Sequence, residues 1–310
     1  MNTATTSSFP LPEYSATQIP WIANPESMQV RDTLLSGTAE PWIAPPISEV
    51  WGLPFHALTM SGTLEAIDRW IAKRIPGYAI TANLNYAMLC DHDPKLTEFT
   101  RKAALVLCDG MPIYWRSCWN RCRLPERVAG SDLIYRLSQR CAERGYRIYF
   151  YGAAEGIAQR TAEKLCELYP ALQVAGWQSP PFGNVTEDQV QRSLDHIRDS
   201  QPDLLLVALG QPKGEFWIQQ HYQSLNVPLS MQVGASFDFV AGVWRRAPKL
   251  FQRTGLEWLH RACSDPIRLV PRYFKNFVFL IQALRKDGIE VLSENPVAPS
   301  SAIESNPRGR

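Results

Sequence analysis

The sequence predicts an α/β protein: a mostly parallel open sheet of about six strands with helices on both faces, followed by a basic helical appendage. Three observations predict it. Short apolar runs recur at 78–81, 105–108, 147–151, 173–177, 203–209 and 229–233, and amphipathic stretches separate them. Each of these runs ends in a small polar or glycine-bearing turn, as strands do at the binding edge of an open sheet. Charge is nearly balanced overall, at +2, yet residues 234–272 gather Arg245, Arg246, Lys249, Arg253, Arg261, Arg268 and Arg272. Only Asp238, Glu257 and Asp265 interrupt that basic run, which is either a solvated helical face or a meeting place for an anion. The arrangement is Rossmann-like and doubly wound.

Each element follows from local chemistry. Residues 1–50 are rich in Pro, Ser and Thr and lack periodicity, which predicts a disordered extension, although Trp21 and Trp42 leave docking open. The α/β domain is expected at 51–262 and the appendage at 263–310. Leu64, Ile67 and Ile71 share one face of a helix over 63–73, stopped by Pro76-Gly77. The first strand ends in Thr81-Ala82-Asn83-Leu84-Asn85, and Asp93-Pro94 supplies an N-cap and first turn for a helix to about 104. The second strand runs into Asp109-Gly110-Met111-Pro112. After it comes a basic, aromatic segment with Trp115, Arg116, Trp119, Arg121, Arg123 and Arg127. A helix then opens at Gly130-Ser131-Asp132-Leu133 and closes near Gly145. Gly152 and Gly156 turn the third strand, and Pro180-Pro181-Phe182-Gly183 forms a loop. Thr186 and Gln189 have capping-box spacing. The fifth strand meets Gly210-Gln211-Pro212-Lys213-Gly214-Glu215, and the sixth delivers the chain to Gly234 and Asp238. Residues 272–286 are apolar and aromatic with basic ends, which fits either an interfacial helix or an ordinary packed one.

Composition narrows the function classes. With 45% hydrophobic and 20% charged residues in 310, the chain is typical of a globular protein, and no stretch approaches 18 apolar residues. The start shows no secretory signal, so a cytoplasmic protein is expected. Seven cysteines, an odd number, suit reduced thiols; Cys118 and Cys122 lack a second pair at zinc spacing, and the five histidines include no HExxH. Neither GxGxxG nor GxxxxGK[ST] occurs, and there is no Asp-x-Asp metal motif, so no cofactor and no metal is expected.

Polar groups nevertheless collect where such a sheet binds ligands. Asp109 is either a general base held at a strand end or a turn cap. Thr81 and Asn83 either bind a sugar hydroxyl or base, or cap the turn. Gly152, Gly210 and Gly234 either let backbone N–H groups approach a phosphate or merely make tight turns. Glu215 and Trp217 fit a helix's first turn equally well.

In order, Thr-x-Asn (81, 83), Asp-Gly (109, 110), Gly-x-Asp-Leu (130–133), Gly-x-Pro-x-x-Glu-x-Trp (210–217), Val-Gly-x-x-Phe-Asp-x-x-Ala-Gly (233–242), Arg-Ala-Pro (246–248), Gly-Leu-Glu-Trp (255–258) and Pro-x-Arg (266–268) resemble the WecG/TagA/CpsF glycosyltransferases. The likeness spans about 51–273. It implies an inverting transferase that moves N-acetylmannosamine or its uronic acid from UDP to a polyprenyl-diphosphate-linked sugar, at the inner face of the plasma membrane. It also implies Asp109 as base, with Thr81 and Asn83 in the site and appendage arginines completing it. The expected substrate-binding set is Asn85, Arg127, Asp132, Gly152, Gly210, Pro212, Glu215, Gly234, Asp238, Arg246, Arg261, Arg268 and Arg272. Gly214 departs from the glutamine usual in that motif. A homo-oligomer is left open. Competing readings are an NAD(P)-dependent oxidoreductase, disfavoured by the absent fingerprint, and a module whose basic tail binds nucleic acid, disfavoured by balanced charge and the lack of any nucleic-acid motif. No nucleic-acid partner is expected.

Overall fold

The computed structural model describes residues 44–181, 186–244, 246–248, 250–251 and 255–294; Arg268 and 288–294 are described through their backbone. The expected extension up to residue 43, Arg245, Lys249, Arg253 and the tail from 295 lie outside the described residues.

Among the described residues a hairpin spans the expected boundary at 51. Its strands β1 (Ile47–Val50) and β2 (Leu53–His56) pair antiparallel across Trp51 and Gly52, both at positive φ (50° and 75°). That turn geometry suits the right-handed twist of two strands. Trp at its first position and Pro54 in a strand hide the hairpin from pattern reading. His56 then accepts the Val106 N–H at 3.0 Å, covering the edge of the main sheet.

From here the expected alternation holds. The elements are α1 (Met60–Lys73), β3 (Gly77–Ala82), α2 (Leu84–His92), α3 (Pro94–Arg101), β4 (Leu105–Cys108), α4 (Met111–Ser117), α5 (Gly130–Arg144), β5 (Arg147–Gly152), α6 (Ile157–Leu168), β6 (Gln173–Gln178), α7 (Glu187–Asp199), β7 (Leu204–Ala208), α8 (Lys213–Leu225), β8 (Leu229–Gln232), α9 (Ser236–Val240), α10 (Glu257–Ser264) and α11 (Pro266–Glu294). The six expected strands form one parallel sheet in the order β4-β3-β8-β7-β5-β6. Strands β3, β4, β7 and β8 are buried throughout, as continuous apolar runs between two helical layers should be.

Capping follows the local chemistry. Asp93 accepts from the Lys95 and Leu96 N–H groups, with Pro94 opening α3. Thr186 and Gln189 close a reciprocal capping box on α7. Gly145 ends α5 at φ 67°. Helix α1 begins before 63 because Thr59 caps it, accepting from Gly62 N–H at 3.1 Å.

Between β3 and α5, two helices also escape the sequence reading. Helix α2 buries Asn85, Tyr86, Ala87, Met88 and Cys90, more than one face, so its apolar residues carry no helical period. Helix α4 opens at Met111 and runs into the segment read only as basic and aromatic.

One apolar layer packs α1, α5, α6 and α9 on the sheet; the other packs α2, α3, α7, α8 and the hairpin. Helix α11 joins the second layer through Phe279 and Ala283, and is longer than the expected 272–286, running through Pro271. Near its end Asp287 accepts from Arg116 Nε and Nη2 at 2.7 and 2.8 Å and from Trp51 Nε1 at 3.1 Å. The basic appendage is therefore seated on the body by apolar packing and by one buried acid.

Candidate active site

The carboxyl ends of β3, β4, β7 and β8 meet at one edge, and the chain there is polar. Asp109 follows β4. Its backbone N–H extends the ladder to the Ala82 carbonyl at 2.9 Å, and its Oδ1 accepts the Gly130 N–H, at the start of α5, at 3.0 Å. The carboxyl keeps some contact with solvent but is closely surrounded by protein. Burial pushes it up to about 6, against the pull of Arg127 and the Gly130 N–H; Glu257 raises it further and Arg261 lowers it.

Thr81 is buried at the end of β3 and donates to the Gln232 carbonyl at 3.0 Å, tying β3 to β8. Asn83 caps α2, its Oδ1 accepting the Tyr86 N–H at 3.1 Å, so the capping role is the one seen. Gly110 packs on it: a Cβ at Gly110 would lie 3.2 Å from the Asn83 Cα. Asp109 and Asn83 thus sit on adjacent turns because Gly110 admits the approach.

Beyond Asp109 lies a line of alternating charge. Arg127 pairs with Glu257 at 3.6 Å, and Glu257 with Arg246 at 3.6 Å. Arg246 in turn grips Asp132 through two bonds, of 2.5 and 3.0 Å. Burial would raise the Asp132 carboxyl, but the Arg246 pair outweighs it and holds it below its usual range. Arg261 stacks over Phe239, 5.4 Å from the ring centre. Gly255, at φ 73°, presses on Met111 and Trp115, which brings the start of α10 over α4.

A second cluster surrounds Glu215, in the first turn of α8 and 1% exposed. Burial pushes its carboxyl up to about 7, against its own backbone, Gln232, Gln211 and Arg272. Asn85 donates to Gln211 at 3.1 Å and accepts from Arg272 Nε at 2.9 Å, so α11 reaches the loop after β7 through one side chain. Asn85, Met88, Pro271, Arg272 and Lys275 line an open cleft of about 340 Å³.

The remaining expected residues sit at the same edge in backbone roles. Gly152, at φ 114°, ends β5 so close to β7 that a Cβ would lie 2.7 Å from the Ala208 carbonyl. Gly210 and Gly234 take positive φ with open space beside them, and Pro212, after a cis peptide, precedes α8. The Asp238 carbonyl accepts from the Val243 and Trp244 N–H groups. The Arg268 side chain lies outside the described residues. Sequence reasoning missed Gln211, Gln232 and Glu257 as site residues. Glu257 had a signal, being an acid inside a basic run; Gln232 had only its place at the end of the last strand.

Among the described residues no group of three or more His, Cys, Asp or Glu is arranged to hold a metal ion. An acid raised by burial, with Arg127 and Arg261 nearby at the edge of a parallel sheet, is equipped to take a proton beside an anionic leaving group.

The family model described as the WecG/TagA/CpsF family of glycosyl transferases matches residues 48–290. The chain belongs to that family. Among its relatives is the N-acetylglucosaminyldiphosphoundecaprenol N-acetyl-beta-D-mannosaminyltransferase of Bacillus spizizenii, 30% identical over 63% of this chain and 76% of the relative. Transferases of the same description from Bacillus subtilis and Staphylococcus aureus are each 25% identical, over 72% and 70% of this chain and 88% and 84% of the relatives. The match begins inside β1, so the family's shared region includes the hairpin, and it runs on through the seated part of α11. This glycosyltransferase therefore carries its basic C-terminal helix as part of the family body.

Proposed function

We propose that this glycosyltransferase moves an N-acetylmannosamine-like sugar, with inversion, from a UDP-sugar to an acceptor linked to a polyprenyl diphosphate, in cell-surface polysaccharide synthesis. The observation that carries the reading is Asp109: a carboxyl raised to about 6 is largely ionised near neutral pH yet still basic enough to accept a proton. It takes the acceptor hydroxyl's proton as that oxygen attacks the anomeric carbon, opposite the departing UDP. Arg261 and Arg272 offset charge on the leaving diphosphate through charge-assisted hydrogen bonds. The names of the relatives support the acceptor.

The test is UDP release from UDP-N-acetylmannosamine, UDP-N-acetylglucosamine and UDP-glucose with a short-chain lipid-diphosphate-sugar acceptor. Acceptor-dependent release should fall about 10²–10⁴-fold in Asp109→Asn. The rate should fall as pH drops through about 6, where Asp109 becomes protonated. Near-normal turnover in a folded Asp109→Asn protein would remove the assigned base.

The same reading places the protein peripherally at the inner face of the plasma membrane. Among the described residues no helix is long and apolar enough to cross a membrane. Ile267, Val270, Phe274, Phe277, Val278, Ile281 and Leu284 instead form an exposed apolar stripe on α11. Lys275, Arg285 and Lys286 flank the stripe, and basic residues near anionic lipid contribute about 1 kcal/mol each.

A further inference from the structure

The basic run of 234–272 includes an acid that the transfer reaction leaves without a task. Glu257 lies in the first turn of α10, largely buried, and its two oxygens face different arginines, Arg246 and Arg127, each at 3.6 Å. Arg127 is near enough to Asp109 to act on it electrostatically. Yet the ion pair it makes is with Glu257, and among the described residues no cation closes on Asp109. What Asp109 holds is one backbone N–H, from Gly130.

That arrangement needs a reason. A guanidinium beside a lone carboxylate normally closes into a fork, two parallel hydrogen bonds that hold the anion in its charged form. A carboxylate committed in that way is a poor base, because taking a proton would break the fork. Something must occupy Arg127.

We propose that Glu257 is a positioning residue: by pairing with Arg127 it holds the guanidinium off Asp109 and leaves that carboxylate uncommitted for the transfer. Arg246 completes the device. Anchored to Asp132 on α5, it draws Glu257 from the other side, so the acid stays between the two arginines. Since Glu257 rides on α10, Asp109 is kept free only while the start of the C-terminal segment is seated over α4, where Gly255 meets Met111 and Trp115. The acid in the basic run and the basic run itself thus do opposite work: the arginines receive negative charge, and Glu257 keeps one of them from receiving the wrong one.

This rests on the reading of Asp109 as the base, so the deciding measurement is one that needs no turnover. The Asp109 carboxyl is followed by ¹³C NMR across pH, assigned by its loss in Asp109→Asn. The groups facing it are Arg127 from the loop before α5, the Gly130 N–H of α5, Glu257 and Arg261 of α10, and the Cys108 thiol, which burial pushes up to about 12 and so keeps neutral. In Glu257→Gln, Arg127 is released onto Asp109, and the titration midpoint should fall by about one pH unit or more, as for a carboxylate gaining an arginine partner. Glu257→Asp keeps the charge and should stay near the wild-type midpoint. Glu257→Gln combined with Arg127→Gln removes the released cation and should return the midpoint to the wild-type value or above. A midpoint that stays put or rises in Glu257→Gln overturns the proposal, and so does a fall on Glu257→Gln that is equally large when Arg127→Gln is the starting protein; the latter would mean Glu257 acts through its own charge alone. In the transfer assay Glu257→Gln should lower kcat about three- to tenfold, because a weaker base removes the proton less readily, with KM for the donor little changed. Its acid limb should move to lower pH with the NMR midpoint. Absence of transfer in wild type would count against the proposed reaction, while the NMR comparison would still decide the role of Glu257.

Discussion

Removing the acid that seats the C-terminal helix should loosen α11 and, with it, one wall of the site. In Asp287→Ala, two bonds from Arg116, at 2.7 and 2.8 Å, and one from the Trp51 indole, at 3.1 Å, disappear together. Both partners of the ion pair are well covered, with side-chain exposures of 16% for Arg116 and 9% for Asp287. Breaking a buried pair by removing one partner costs about 3–5 kcal/mol, because the other charge is left uncompensated. Here Arg116 retains Asn120, at 2.7 Å, and the face of Trp119, so the loss falls below that range, at about 2–3 kcal/mol. If that falls on local opening, the open population of α11 rises about 30- to 150-fold, at 1.4 kcal/mol per factor of ten. Hydrogen exchange in peptides covering 273–287 should accelerate by that factor, and the thermal midpoint should drop by about 4–8 °C, at the shallow slope of a large domain. Asp287→Asn keeps an acceptor for Trp51 and should lose less. Exchange and midpoint both unchanged in Asp287→Ala would refute the reasoning, since the desolvation of the pair would then cancel its attraction. Where α11 opens, Arg272 loses its hold on Asn85 and the cleft beside it opens too.

Three further outcomes follow from other observations. Glu215 is buried with its carboxyl raised from 4.5 to about 7, so its favourable contribution is complete below the unfolded value and is lost as pH rises through about 7. Glu215→Gln should therefore raise the thermal midpoint at pH 8 and much less at pH 5, by no more than about 3 kcal/mol in stability at about 1.4 kcal/mol per unit; a difference independent of pH would contradict this. Gly214 makes room for Gln232, since a Cβ there would lie 2.7 Å from the Gln232 Cγ, and Gln232 is itself held by the Gly234 N–H. Gly214→Ala should cost about 1–3 kcal/mol by denaturant unfolding, recovered in part by Gln232→Ala in the same chain; equal losses in single and double variants would rule out the contact. Phe274→Ser with Phe277→Ser should weaken sedimentation with anionic liposomes, and binding equal to wild type would remove α11 as the membrane-facing element.

The central strands of the main sheet were legible because they are largely apolar runs sealed on both sides by helices, which needs no partner to be recognised. Helix stops and starts were legible for a related reason: Asp93, Thr186 and Gly145 act on their own backbone within a few residues. Asp109, Thr81 and the glycine turns could be placed at one edge once the alternation implied a parallel sheet, since all strands of such a sheet end on the same side. What the sequence by itself determined was therefore the sheet, its caps and the edge where the polar residues collect.

Only the tertiary structure decided who faces whom. Helix α2 lacks a period because it is buried on more than one face, and the hairpin over 47–56 turns through a Trp-Gly pair that no turn rule singles out. Asn83 reads in sequence as ligand or cap, and the fold shows its oxygen accepting the Tyr86 N–H. The appendage, set apart in sequence by its charge, is joined to the body by Asp287 and by the Arg272–Asn85 bond, partners 171 and 187 residues apart. Glu257 reads as a flaw in a basic run until α10 brings it between Arg127 and Arg246. Local chemistry acts over a few residues and is written in the chain; the pairing of buried charges depends on distances that only the folded sheet and its two helical layers create.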